Sequence, residues 1–93
     1  MTNLGTRPQE LGTYETGGVI WYWVRPEEPA VLDLDDPRHS AAYWDEVEAW
    51  CTATYGPRNP WAEEGSPHRW SASDRRYYFR DEADRTMFIM RWS

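Results

Sequence analysis

The sequence has no lysine, a single cysteine, few leucine, isoleucine and valine residues, and no long apolar run. One cysteine excludes an internal disulfide and any zinc site built on several cysteines. No apolar run approaches the length that spans a bilayer, so we expect no membrane partner. Because the segment MTNLGTRPQE also lacks the apolar centre of a signal peptide, we expect a cytoplasmic protein.

Aromatic side chains must take the place that aliphatic ones usually have in a core. Trp, Tyr and Phe together make up 16 % of the 93 residues, and seven residues are Trp. A chain of this length buries one modest core, which must then be largely aromatic. Some Trp rings are therefore expected at the surface, where a cluster of them would form a contact patch.

Charge is unevenly distributed along the chain. The net charge of −6 argues against a general nucleic-acid binder. Residues 1–67 hold 12 acidic side chains against 4 Arg, a balance of −8, whereas residues 68–93 hold 6 Arg against 4 acids, a balance of +2. Opposite faces of one small domain are therefore expected to carry opposite signs.

The N-terminal third predicts an arm and one strong strand. Residues 1–18, rich in Gly, Thr and polar side chains, are interpreted as a flexible or docked N-terminal arm, and residues 19–93 as a single domain. Residues 19–25 (VIWYWVR) predict a strand with two apolar faces, which should be central in its sheet or covered on both sides. The apolar run 30–34 predicts an edge strand or an extended connection.

The middle of the chain predicts a helix and then a loop. Asp36 or Ser40 caps this helix, Gly56 ends it, and apolar residues between them recur at steps of three and four. Residues 57–67 contain three prolines and a glycine and predict a loop in which only Trp61 is suited to contact the body of the protein.

The C-terminal segment predicts a hairpin and a short helix. Residues 68–72 and 75–80 are interpreted as its strands. Asp81 is expected to cap the helix by accepting from the amide of Asp84, although residues 88–92 also alternate as a final strand would. The apolar face of the helix is expected to hold Ala83, Met87, Phe88 and Met90. Together the elements predict an α+β fold, a small antiparallel sheet of three or four strands packed on two helices in a ferredoxin-like or split βαβ arrangement.

No catalytic or metal-binding constellation is predicted. Cys51, His39 and His68 come nearest to a nucleophile with its base, but Cys51 lies on the apolar face of its helix and is interpreted as a packing residue. The acidic segment 33–36 lacks the central glycine and terminal glutamate of an EF-hand loop. We therefore expect no enzymatic activity, no metal and no cofactor.

The closing segment carries a motif of the form Phe-x(4)-Asp-x(3)-Phe-x-Leu/Met-Arg-Trp. Its residues are Phe79, Asp84, Phe88, Met90, Arg91 and Trp92. This motif resembles the ending of small uncharacterised proteins encoded by tailed bacteriophages, and residues 44–56 show a looser likeness. The resemblance implies a viral protein in the host cytoplasm and supplies no catalytic residue.

We predict a protein that binds a host or viral protein, as an inhibitor of a host nucleic-acid enzyme or defence system. The expected aromatic anchors are Trp61, Trp21 and Trp23. The acidic residues expected to face a basic partner are Glu27, Glu28, Asp45, Glu48, Glu63 and Glu64.

Two alternatives stay open beside that prediction. One is an accessory or structural phage protein whose acidic residues keep it soluble. The other is a module that binds single-stranded nucleic acid through the hairpin, because aromatic and Arg side chains together form a stacking platform. The residues of that platform would be Trp70, Arg75, Arg76 and Tyr78.

Overall fold

The structure, a computed structural model, describes residues 8–28, 35–59 and 68–92. Its strands are β1 (Glu10–Thr16), β2 (Val19–Arg25), β3 (Trp70–Ser73) and β4 (Arg76–Phe79), its helices are α1 (Ala41–Tyr55) and α2 (Glu82–Trp92), and a short 3-10 helix (Pro37–His39) precedes α1. The predicted α+β class is confirmed. The predicted strand 30–34 and most of the 57–67 loop lie outside the described residues. Neither α1 nor α2 is long and apolar enough to cross a membrane.

The four strands form one antiparallel sheet in the order β1-β2-β4-β3. Strand β4 lies between β2 and β3 and is antiparallel to both, so β2 and β3 are parallel and α1 lies between them in the chain. This is the split βαβ arrangement that the sequence predicts. Residues 10–16 form an edge strand paired with β2, where the sequence predicts an arm.

A glycine pair makes that first hairpin possible. Gly17 and Gly18 both have positive φ, 58° and 79°. Two-residue hairpin turns of this hand require positive φ at both central positions, which glycine adopts without steric penalty. The glycines therefore turn the chain between β1 and β2.

Helix α1 begins and ends at the predicted residues. Asp36 Oδ1 accepts from the amide of Arg38 at 2.9 Å and caps the 3-10 helix, while Ser40 Oγ accepts from the amide two residues on and caps α1 itself. Gly56 ends α1 with φ of 94°. Both predicted caps are therefore used, one after the other.

Helix α2 forms as predicted, but it turns a different face to the core. Asp81 caps it by accepting from the amide two residues on rather than from that of Asp84. The buried residues are Asp84 and Phe88, whereas Met87 and Met90 are exposed, Met90 to 79 %. The predicted apolar face is therefore confirmed for Phe88 and wrong for Ala83, Met87 and Met90. Asp84 takes a core position because Arg69 pairs with its carboxylate.

The core lies between the two helices and one face of the sheet. Its buried members are Val24, Val47, Cys51, Tyr55, Trp70, Tyr77, Phe79 and Phe88. Phe88 of α2 stacks on Tyr77 with ring centroids 4.9 Å apart, and Tyr55 of α1 meets Phe79 edge to face at 5.2 Å. The core is aromatic, as the composition predicts.

A buried carboxylate joins both helices to the sheet. The carboxylate of Asp84 accepts from Nη2 of Arg69, which lies just before β3, at 3.0 Å. The backbone carbonyl of Asp84 accepts from the Tyr55 hydroxyl at 2.9 Å. The Arg69 side chain is 52 % exposed, so water screens one end of the pair while Asp84 is buried. Such a pair stabilises mainly by satisfying the buried carboxylate.

Asp84→Asn is expected to lower the free energy of unfolding by about 1 to 3 kcal/mol, because the charge-assisted bonds to Arg69 are lost. Urea denaturation measures the change. Glu82→Gln is the matched control in the same helix, since the Glu82 side chain is 65 % exposed and forms an ion pair with Arg85 at 3.1 Å. We expect it to change stability by less than about 1 kcal/mol. Equal losses in the two variants would contradict the assignment.

Stability is expected to fall as the pH rises above about 9. Burial raises the pKa of Cys51 from 9.0 to about 12, and it also raises the pKa values of Tyr55 and Tyr77 above their ordinary 10.0. The unfolded chain therefore releases these protons at lower pH than the folded chain, which favours unfolding. Urea midpoints between pH 7 and 11 test this. Tyr77→Phe should make the decline less steep, and an unchanged slope would argue against it.

Candidate functional site

The two faces of the sheet have different surroundings. Val24 pairs with Tyr77 across β2 and β4, and both belong to the core under the helices. Because side chains alternate along a strand, the neighbouring pair of Trp23 and Tyr78 lies on the opposite face. We call this side of the sheet the helix-free face and define it by Gly12, Tyr14, Trp21, Trp23, Arg25, Ser71, Arg76 and Tyr78, of which Trp21 and Ser71 are buried.

Trp23 lies at the centre of the helix-free face, between a glycine and an arginine. A Cβ atom at Gly12, its partner on β1, would lie 2.4 Å from Cζ2 of the indole, so only glycine leaves room for this ring position. The guanidinium carbon of Arg76 lies 4.4 Å from the Trp23 ring centroid. The partly buried indole is thus held against the sheet and carries a cation over its ring.

Two tyrosines continue the aromatic surface beside Trp23. Tyr78 is its direct neighbour on β4, and the Tyr14 ring meets the Tyr78 ring edge to face at a centroid distance of 6.0 Å. Tyr14 is 48 % exposed and Tyr78 is partly buried. Aromatic side chains from three adjacent strands therefore lie on the same face of the sheet, and we call them the aromatic row.

Two arginines at one end of this row have unsatisfied donors. No hydrogen bond or ion pair joins Arg76 to any residue that the structure describes, and its Nε is buried without a partner. The β2–β4 register, continued by one residue, places Arg25 beside Arg76. Arg25 also has an unpaired buried Nε, and it forms a long ion pair of 3.4 Å with Glu28. Like charges at adjacent cross-strand positions repel each other, so an anion bound near these two arginines would be favoured.

The structure brings together only half of the predicted hairpin platform. Trp70 pairs with Phe79 and lies in the core, where its Nε1 donates to the carbonyl of Gly56 at 2.6 Å. Strand alternation therefore places it on the face opposite Tyr78, which corrects the predicted platform. Arg75 lies in the β3–β4 turn with φ of 64° and stacks over Trp44 at 5.1 Å. Of the predicted four residues, Arg76 and Tyr78 remain.

The predicted partner-binding Trp residues are also separated. Trp21 is only 3 % exposed, with the guanidinium of Arg80 5.4 Å from its ring centroid, so it presents no open ring to a partner. Trp23 is partly exposed and belongs to the row described above. Trp61, Glu63 and Glu64 lie outside the described residues.

The remaining predicted contact acids mostly have intramolecular partners. Glu27, Glu28 and Glu48 each form an ion pair with an arginine, at N–O distances of 3.1, 3.4 and 3.2 Å. Asp45 is exposed on α1. The charge that these residues would offer to a basic partner is therefore partly neutralised within the chain.

Four residues of the helix-free face are absent from the sequence prediction: Gly12, Tyr14, Arg25 and Ser71. The first two lie on β1, which is interpreted from the sequence as part of an arm. The Gly17–Gly18 pair is the signal that indicates otherwise, because it is typical of a hairpin turn before a strong strand.

The described residues contain neither a cluster of metal ligands nor an activated thiol. Within residues 8–28, 35–59 and 68–92, no three His, Cys, Asp or Glu side chains come together as ligands for a metal ion. Cys51 is buried, and burial keeps its pKa near 12, so the thiol stays protonated at neutral pH and is a poor nucleophile. The absence of enzymatic activity stays a prediction.

Gly12→Ala is expected to displace the Trp23 indole from β1, because the new methyl group overlaps the ring. Overpacking of this kind destabilises by about 1 to 3 kcal/mol. The indole NH resonance of Trp23 and a urea titration report the two effects. Thr16→Ala, at an exposed position of the same strand, is the control and should alter neither. An unshifted indole resonance in Gly12→Ala would contradict the packing.

Comparison with known proteins finds no relative of this chain. No family model, no curated protein and no solved structure matches the chain. The likeness of residues 79–92 to phage proteins therefore stays a prediction, carried by its motif alone. Function must be inferred from the helix-free face itself.

Proposed function

We propose that the protein is a cytoplasmic, non-enzymatic binding module whose helix-free face binds single-stranded nucleic acid. The observation that carries this proposal is Arg76, a guanidinium without a hydrogen bond or ion pair to any described residue, placed over Trp23 and beside Tyr78. A cation and stacking rings on adjacent strands are the two chemical elements that single strands require, because phosphates need positive charge and unpaired bases need flat partners.

The aromatic row supports base stacking. Trp23, Tyr78 and Tyr14 lie on three adjacent strands, whose spacing of about 4.8 Å is short enough for neighbouring bases of an extended strand to reach successive rings. Arg76 lies over Trp23, and the plane of a guanidinium also stacks on a base. A base can therefore stack on the tyrosines directly and on the indole through the arginine.

Local charge decides whether an anion approaches, and here it differs from the net charge of −6. Charges separated by more than a Debye length, roughly 8 to 10 Å at moderate salt, are largely screened. On the helix-free face Arg25 and Arg76 occupy adjacent positions, and the acids nearest to them are Glu10, the cross-strand partner of Arg25, and Glu28, its ion-pair partner at 3.4 Å, so the local charge is close to zero rather than strongly negative. The exposed acids Asp45 and Glu46 lie on α1, which packs on the other face.

Binding of a protein is a second candidate, and one observation favours it. Met87 and Met90 lie three residues apart on α2 and are both exposed, Met90 to 79 %. Exposed methionines adapt to varied partner surfaces, and the acidic outer side of α1 would attract a basic protein such as a host nucleic-acid enzyme. This candidate uses the helices and leaves the helix-free face unexplained.

A fluorescently labelled single strand of mixed sequence is expected to bind the protein at low salt, with an affinity that falls steeply as salt rises. Arg76→Gln should weaken binding to every sequence and reduce the salt slope by about 1, as the loss of one phosphate contact does. Trp23→Leu should weaken binding by about 1 to 3 kcal/mol, as expected for the loss of one stacked base. Fluorescence anisotropy measures both.

Arg58→Gln is the matched control, because it removes the same charge from an exposed arginine paired with Glu48 of α1. It should leave the affinity close to that of the unaltered chain. The proposal fails if no strand binds at low salt, or if Arg58→Gln and Arg76→Gln weaken binding equally, since that would indicate only a diffuse charge effect.

A further inference from the structure

A cavity separate from the helix-free face lies between the start of α1, the end of α2 and the residues that follow β2. Its volume is about 260 Å³. The rings of Tyr43, Trp44, Phe88 and Trp92 form its walls, and its charged groups are Glu27 and Arg38. An apolar cavity of roughly 150 Å³ accommodates benzene. This one therefore suits a small headgroup rather than a ligand of cofactor size.

Two of the rings, Trp44 and Trp92, each stand nearly at right angles to the ring of Tyr43. The planes of Tyr43 and Trp44 meet at 86° with centroids 4.9 Å apart, and those of Tyr43 and Trp92 meet at 82° with centroids 5.7 Å apart. Rings in this relation surround a small group from more than one side, as in the aromatic cages that recognise alkylated ammonium ions. Each Trp ring also has an arginine within cation–π distance, since Cζ of Arg75 lies 5.1 Å from the centroid of Trp44 and Cζ of Arg91 lies 4.2 Å from that of Trp92.

At the cavity, the carboxylate of Glu27 shares its cationic partner, Arg38, with a second carboxylate. Arg38 donates to Asp36 from Nε at 3.0 Å and from Nη2 at 2.7 Å, and these bonds lower the pKa of Asp36 to about 2. Glu27 accepts from Nη1 of the same guanidinium at 3.1 Å. Two carboxylates thus share one cation. The Glu27 side chain is 53 % exposed and can take a second one.

We propose that this cavity binds a small alkylated ammonium group, such as the trimethylammonium of choline or of a methylated lysine side chain. The methyl groups would contact the rings of Tyr43, Trp44 and Trp92, where the positive charge meets the negative ring faces. Glu27 would balance the charge from the rim while Arg38 stays bound to Asp36. The site uses none of the residues of the helix-free face, so it stands or falls independently of nucleic-acid binding.

Isothermal titration calorimetry of the full chain with choline chloride tests the proposal. The comparison ligand is 3,3-dimethylbutan-1-ol, which has the shape of choline without its charge. We expect saturable binding of choline, about three to thirty times tighter than that of the neutral alcohol. A peptide with one trimethyllysine identifies the source: tighter binding than choline indicates a methylated protein, and weaker binding a free headgroup.

Two variants separate the cavity from general surface charge. Glu27→Gln is expected to weaken choline binding several-fold and to leave the neutral alcohol unaffected. Glu48→Gln removes the same charge from a similar exposed pair, with Arg58 at 3.2 Å, and lies outside the cavity, so it should change neither. Absence of saturable choline binding, equal affinity for the neutral alcohol, or equal losses in the two variants would overturn the proposal.

Discussion

The register in which β2 pairs with β4 determines which side chains of the sheet enter the core and which lie on the helix-free face. Once Trp23 lies opposite Tyr78, Val24 must lie opposite Tyr77 on the other face. A shift by one residue would exchange the faces, placing Trp23 in the core and Val24 outside. The core has room for Val24 and Tyr77 under α1 and α2, whereas the rings on the other face are larger and carry arginines. The register therefore separates the face that packs under the helices from the helix-free face.

Arginine is the second component of this arrangement. In the described parts of the chain, six arginines lie within 5.5 Å of an aromatic ring centroid: Arg69, Arg75, Arg76, Arg80, Arg85 and Arg91. A planar guanidinium stacks on a ring while its nitrogens keep contact with water, which a lysine ammonium does less well. Arginines thereby cover aromatic rings that the small core does not enclose, and the surface at these rings keeps polar groups. The same coverage leaves donors such as those of Arg76 available to an anion.

The sequence predicts helices and strands whose signals lie within a few residues. It does not predict contacts between residues that are far apart in the chain. β2 and α1 follow from composition and caps, because Asp36, Ser40 and Gly56 act on their own neighbours. β1 has weak strand propensity and forms through pairing with β2. Trp70 shows why the candidate site is only partly predictable from the sequence. An aromatic side chain fits a core and a stacking platform equally well. Only the β3–β4 register decides between them.

Asp84 shows why the face of α2 is difficult to predict. Apolar periodicity favours Met87 and Met90, yet Asp84 occupies the buried side because Arg69, just before β3, pairs with its carboxylate and Tyr55 of α1 donates to its backbone carbonyl. Once Asp84 points inward, Phe88 one turn later enters the core, and the methionines must point to solvent. A single satisfied charge thus sets the rotation of the helix. It also fixes which apolar side chains α2 leaves available for contact with another molecule.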